Sequence, residues 1–140
     1  MKGLSLQDLH VGDKASVVKT ITEKDVLAYA EVTGDFNPQH IDEEFAKTSI
    51  FKARIAHGML SVGLISRLLG TELPGMGSIY MSQEVKFLAP VYFDDTITAT
   101  VEVVEIIENR KVKLRTTCTN QNQVFVIDGF AFIKPPKLSI

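Results

Sequence analysis

From Thr96 to Val103 the chain alternates without a break, with Ile97, Ala99, Val101 and Val103 on one side and Thr96, Thr98, Thr100 and Glu102 on the other. A period of two marks a strand buried on one face. Val112, Leu114 and Cys118 repeat the pattern against Lys111, Lys113, Arg115 and Thr117. Val124 to Ile133 reads as a richer apolar strand, and Ile79 to Phe87 precedes them all. Glu108-Asn109 and Asn120-Gln121-Asn122 are short polar connections that suit hairpins. Before Gly70 the pattern is helical or irregular. Thr22 reads as an N-cap with Asp25 completing an imperfect capping box. Val26, Tyr29, Ala30 and Thr33 then share a helical face that Gly34 closes. Pro38 predicts a loop over 35–39, and Asp42, Glu43 and Glu44 suit the first turn of a short second helix. Gly58 opens a third helix that runs to about Leu69, where Gly70 stops it. Met59, Leu60, Val62, Leu64, Ile65, Leu68 and Leu69 make it apolar nearly all round, with Arg67 its only charge, and such a helix is buried.

Four antiparallel strands with one polar face, plus one greasy helix, predict an α+β fold in which a single curved sheet wraps around a long apolar helix. No βαβ rhythm or internal repeat interrupts this reading, and residues 1–140 are expected to form one domain. A sheet covering one helix leaves edges and apolar surface open, so a homodimer or higher homo-oligomer is expected. The alternative is a monomer with a charged edge.

Composition narrows the function classes. At 140 residues the chain is long enough for a real core. Fifteen basic against seventeen acidic side chains give a formal charge of −2, which lacks the clustered positive excess that nucleic acid requires. The most apolar stretch, Met59 to Ser66, is far shorter than the ~20 residues of a membrane span. The N-terminal residues do not read as a signal peptide. The single cysteine, Cys118, can form no internal disulfide and reads as a small core residue. These features predict a soluble cytoplasmic protein with neither nucleic acid nor membrane as partner.

Chemistry narrows them further. His10 lies in a polar segment and reads as surface. Asp35 and His40 flank a tight turn built by Gly34, Asn37 and Pro38, and a carboxylate and an imidazole on one rigid loop can both reach a single water. The competing reading makes Asp35 a turn cap and His40 a cap of the next helix. His57-Gly58 precedes the buried helix, so the Gly58 N–H is an unsatisfied donor at a positive helix end, suited to a carbonyl oxygen gaining charge. His57 itself reads as support for that turn. No GxSxG elbow, HExxH or CxxC spacing or phosphate-loop lysine occurs, so neither a metal nor a cofactor is expected.

The run Tyr29-Ala30-Glu31-Val32-Thr33-Gly34-Asp35-Phe36-Asn37-Pro38-Gln39-His40, with Ala46 six residues on, resembles the signature of MaoC-like, (R)-specific enoyl-CoA hydratases. Ala53-Arg54-Ile55-Ala56-His57-Gly58-Met59-Leu60 and Leu73-Pro74-Gly75-Met76-Gly77-Ser78-Ile79-Tyr80 resemble later blocks of that family. The resemblance implies a dimeric hot-dog fold and reversible syn addition of water to a trans-2-enoyl thioester, giving the (R)-3-hydroxyacyl thioester. It implies that Asp35 and His40 are the catalytic pair, that the Gly58 N–H binds the thioester oxygen, and that Ser66 and Asn37 lie at the substrate. Gln39 departs from the aliphatic residue usual before the histidine. An acyl-CoA thioesterase and a 3-hydroxyacyl-acyl-carrier-protein dehydratase remain alternatives on the same fold. Acyl length, the carrier and the residue that moves each proton stay open, and Arg54, Lys52 and Lys86 are candidates for phosphate contacts, with solvated surface as the competing reading.

Overall fold

The computed structural model describes residues 2–140. After a 3-10 turn at Leu6–Asp8, the elements are β1 (Lys14–Thr20), α1 (Glu23–Thr33), α2 (Pro38–Ile41), α3 (Glu43–Thr48) and α4 (Gly58–Thr71), followed by β2 (Ile79–Phe87), β3 (Thr96–Ile107), β4 (Lys111–Thr119) and β5 (Phe125–Lys134). The strands form one antiparallel sheet of five in the order β1-β3-β4-β5-β2. Both hairpins fall where the polar connections predict them, closing at Ile107↔Lys111 and at Thr119↔Phe125. β2 does not pair with β3, its successor in the chain; it crosses to the far edge and pairs with β5.

The strand pattern is carried by burial. On β3, Ile97, Ala99, Val101 and Val103 are buried, and on β4 Val112, Leu114, Thr116 and Cys118 join them. α4 lies across this face, packed on β3 with β1, β2 and β4 beside it. Its Val62, Ile65, Leu68 and Leu69 enter the same core as the inward strand residues. Burial also pushes the Cys118 thiol up to about 12, so it stays protonated, and the sulfur donates to the Ser61 carbonyl at 3.8 Å. This is the α+β hot-dog arrangement, a sheet wrapped around a helix.

Four local expectations need correction. β1 lies in the segment that reads as irregular, because Lys14-Ala15-Ser16-Val17-Val18-Lys19-Thr20 offers only Ala15 and Val17 to the core. Its ladder to β3, from Lys14↔Glu102 to Thr20↔Thr96, makes it a strand. The 35–39 loop ends early: Pro38 begins α2 at a first-turn position, where its missing N–H costs nothing and its fixed φ helps. α4 continues through Gly70 to Thr71, whose hydroxyl donates to the Arg67 carbonyl at 2.7 Å. Nor is α4 buried all round: Met59, Ser66 and Arg67 are exposed on the single chain.

The helix preceding the site is set as its sequence predicts. Thr22 and Asp25 form a complete capping box at the start of α1, and Gly34 ends it in the left-handed region at φ 77°. Asp42 caps α3 by accepting from the Phe45 N–H. Among the described residues, no helix is long and apolar enough to cross a membrane.

Candidate active site

The loop from α1 into α2 is a chain of side-chain caps. The Asp35 N–H donates to Thr33 Oγ1 at 3.1 Å, and Asp35 Oδ1 accepts from the Asn37 N–H at 3.2 Å. Asn37 Oδ1 in turn accepts from the Gln39 N–H at 3.1 Å, capping α2. Asp and Asn favour such local bonds to the backbone, and the φ of Gly34 turns the chain into them. The capping role read for Asp35 is therefore real, and it fixes the carboxylate. The caps use Oδ1, while Oδ2 lies 3.9 Å from His57 Nε2.

His40 sits on α2. Its Nδ1 lies 2.7 Å from the Ile55 carbonyl, which only accepts, so Nδ1 carries the proton. In the neutral ring Nε2 is then the bare nitrogen, able to accept a proton. Gln39, where the family pattern has an aliphatic residue, donates from Nε2 to the Ala53 carbonyl at 3.0 Å and so ties α2 to the same segment. That departure leaves the histidine in place.

His57 joins the two groups. It is 3% exposed. Its Nε2 lies 3.0 Å from the Asp35 carbonyl and donates to it, while its ring stacks on that of His40 with centroids 3.9 Å apart. Tyr29 flanks its ring at 4.5 Å. One nitrogen or carboxylate oxygen from each of Asp35, His40 and His57 lies within 4.8 Å of the others. That gap suits a water accepting and donating hydrogen bonds of about 2.8 Å. It suits a metal poorly, because the His57 Nε2 that faces the Asp35 carboxylate carries the proton given to the Asp35 carbonyl and has no lone pair to offer.

A cleft of about 500 Å³ opens beside this cluster. His40 and Gly58 lie on its wall, and the remainder is mostly apolar, with Phe51, Ile55, Val91, Val126 and Ile127 among the lining. Gly58 is the first residue of α4, so its N–H has no acceptor within the helix. Phe87 packs so closely that a Cβ on Gly58 would lie 2.7 Å from its ring. Glycine thus keeps the helix mouth open where the aromatic wall approaches.

Asp35 is exposed and is not among the residues that line the cleft of the single chain, but its carboxylate lies within 4.8 Å of His40, which does line it. Ser66 and Asn37 are not brought to the cleft of the single chain. Ser66 lies eight residues beyond Gly58, which turns it about 80° around the helix at 3.6 residues per turn, and it is exposed. Asn37 is exposed and its side chain caps α2. Arg54 is held by Glu23 and lies 4.7 Å over the Phe93 ring, so it is not a free phosphate ligand. Ser61 and Phe87 also stand on the cleft wall, and no local pattern announces either of them. Ser61 looks like any helix serine, and Phe87 arrives from a distant strand.

Comparisons with known proteins agree with this architecture. The family described as MaoC like domain matches residues 11–124. An (R)-specific enoyl-CoA hydratase of Rhodospirillum rubrum is 50% identical over 93% of this chain and 90% of its own length. The (R)-specific enoyl-CoA hydratase of Aeromonas caviae is 42% identical over 95% of this chain and 100% of its own. The structure of an unliganded R-hydratase from Pseudomonas aeruginosa superposes with a TM-score of 0.94 at 40% identity, covering 99% of this chain and 90% of that one. The chain belongs to the MaoC-like domain family.

Proposed function

We infer that this chain is an (R)-specific enoyl-CoA hydratase, a hydro-lyase that reversibly adds water to trans-2-enoyl-CoA and yields (R)-3-hydroxyacyl-CoA. The observation that carries the chemical reading is the approach of Asp35 and His40 to within 4.8 Å, with His40 Nδ1 committed to Ile55. A water held between the carboxylate and His40 Nε2 adds its oxygen to C3. The pair takes one proton from that water and returns one to C2 on the same face, so atoms and charge balance over the cycle. Charge that builds on the thioester oxygen meets the Gly58 N–H at the positive end of α4. The apolar lining receives the acyl chain.

Coenzyme A is favoured as the carrier. Relatives at 50%, 46% and 42% identity are named for CoA substrates, whereas those named for acyl carrier protein stand at 37%. The exposed apolar edge of β2, with Ile79, Tyr80, Met81 and Phe87, supports a homodimer. The family likeness supports a cytoplasmic enzyme acting on fatty-acyl intermediates. Its (R)-product has the hand suited to polyhydroxyalkanoate supply, the process named for the Aeromonas caviae structure.

The test is to incubate purified protein with crotonyl-CoA and pass the product to dehydrogenases of opposite stereospecificity. Reduction of NAD by the (R)-specific enzyme alone is expected. Release of free thiol from saturated butyryl-CoA without hydration would instead identify a thioesterase.

A further inference from the structure

Ser61 stands one turn beyond Gly58 on α4 and lines the same cleft as His40. It is 1% exposed, and its hydroxyl is buried without a hydrogen-bond partner among the described residues. A helix serine ordinarily gives its proton to the carbonyl four residues back. Here that carbonyl belongs to His57 and accepts from the Leu60 N–H at 3.0 Å instead. A buried hydroxyl left unpaired is destabilising, and alanine would fit a helix better at no polar cost. The site therefore carries a donor that folding does not use, in a wall otherwise mostly apolar.

Helical side chains lean toward the helix N-terminus, which tilts Ser61 back over the turn that holds Gly58. A rotation about the single χ1 bond moves its hydroxyl between staggered positions. We propose that Ser61 is a substrate-binding residue whose hydroxyl donates to the thioester carbonyl oxygen of the bound acyl-CoA, as a second donor beside the Gly58 N–H. The proposal rests on the acyl-CoA reading of the cleft. It assigns the oxygen two donors, one from the backbone and one from a side chain, both on the first turns of α4. A donor that strengthens as charge grows on that oxygen acts more on kcat than on KM.

The experiment compares Ser61→Ala and Ser61→Cys with the native protein in three measurements. Ser61→Ala should melt at or above the native temperature, because it removes an unpaired buried group. Its kcat/KM on crotonyl-CoA should fall at least about 10-fold, short of the roughly 10²- to 10³-fold cost of losing a principal oxyanion donor. Ser61→Cys, similar in size with a weaker donor, should lie between the two. The third measurement is binding of butyryl-CoA against S-butyl-CoA, a thioether that lacks the carbonyl. The native protein should prefer the thioester, and Ser61→Ala should lose most of that preference. Equal weakening toward both ligands, or a kcat/KM within twofold of native, would overturn the proposal. The ligand pair reads Ser61 without turnover, so a native protein that fails to hydrate crotonyl-CoA yet shows the Ser61-dependent preference would sink the hydratase reading alone.

Discussion

His40 and His57 lie face to face, with ring centroids 3.9 Å apart and planes 30° from parallel. The same His57 donates its Nε2–H to the Asp35 carbonyl. A single buried side chain thereby sets the face of the imidazole and the backbone beneath the carboxylate. His57→Phe keeps a ring for stacking but deletes the donor. Kinetics on crotonyl-CoA should show kcat down roughly 10-fold, equivalent to ~1.4 kcal/mol, with KM little changed. A purely structural histidine would instead lower the melting temperature and leave kcat per folded molecule intact.

The closeness of Gly58 to Phe87 makes a second prediction. An alanine Cβ at position 58 would lie 2.7 Å from the Phe87 ring, which is 53% exposed and able to yield. Gly58→Ala should therefore fold, push the ring into the cleft mouth and raise KM several-fold. Adding Phe87→Leu should restore KM toward the native value. If the double variant is no better than Gly58→Ala, the aromatic wall is not the obstacle.

Stability in acid is expected to follow Asp25. The Thr22 backbone N–H, and then Lys19, hold its carboxyl below the ordinary value of 3.8. A carboxyl with a lowered folded value stabilises the protein above its unfolded pKa, and that contribution fades as pH falls through the folded one. Asp25→Ala, which also breaks the capping box, should cost about 1 kcal/mol at neutral pH. Denaturant melts should show the gap narrowing below about pH 4, the ordinary carboxylate range. A gap independent of pH would mean that the carboxylate's charge contributes nothing.

Cys118 should be inert to thiol reagents in the native protein, since its thiol is buried and titrates only at about 12. Labelling with a disulfide reagent should track global unfolding, with full reaction in denaturant. Rapid labelling in buffer would show that the β4 face opens locally.

Much of this was legible in the chain. The alternation of β3 and β4, the hairpin turns and the Thr22–Asp25 cap are local signals, and burial follows them residue by residue. β1 was hidden because an edge strand needs few apolar positions and takes its order from β3. α2 was hidden because four residues carry no helical period and its proline reads as a breaker. Within the site, Asp35, His40 and Gly58 stand out by residue type and loop chemistry. Ser61 and Phe87 do not, since their meeting with His40 depends on where α4 and β2 pack. The link between His57 and Asp35 spans 22 residues and no periodicity announces it.

The central claim is that Asp35 and His40 together activate one water. Its most direct test is the decay of the conjugated ultraviolet band of crotonyl-CoA with native protein, Asp35→Asn and His40→Ala. Asparagine retains the acceptor for the Asn37 N–H, and His40 is only partly buried, so both variants should melt close to native. Each is expected to lose about 10²- to 10⁴-fold in kcat. Native-like turnover in either folded variant would contradict the account.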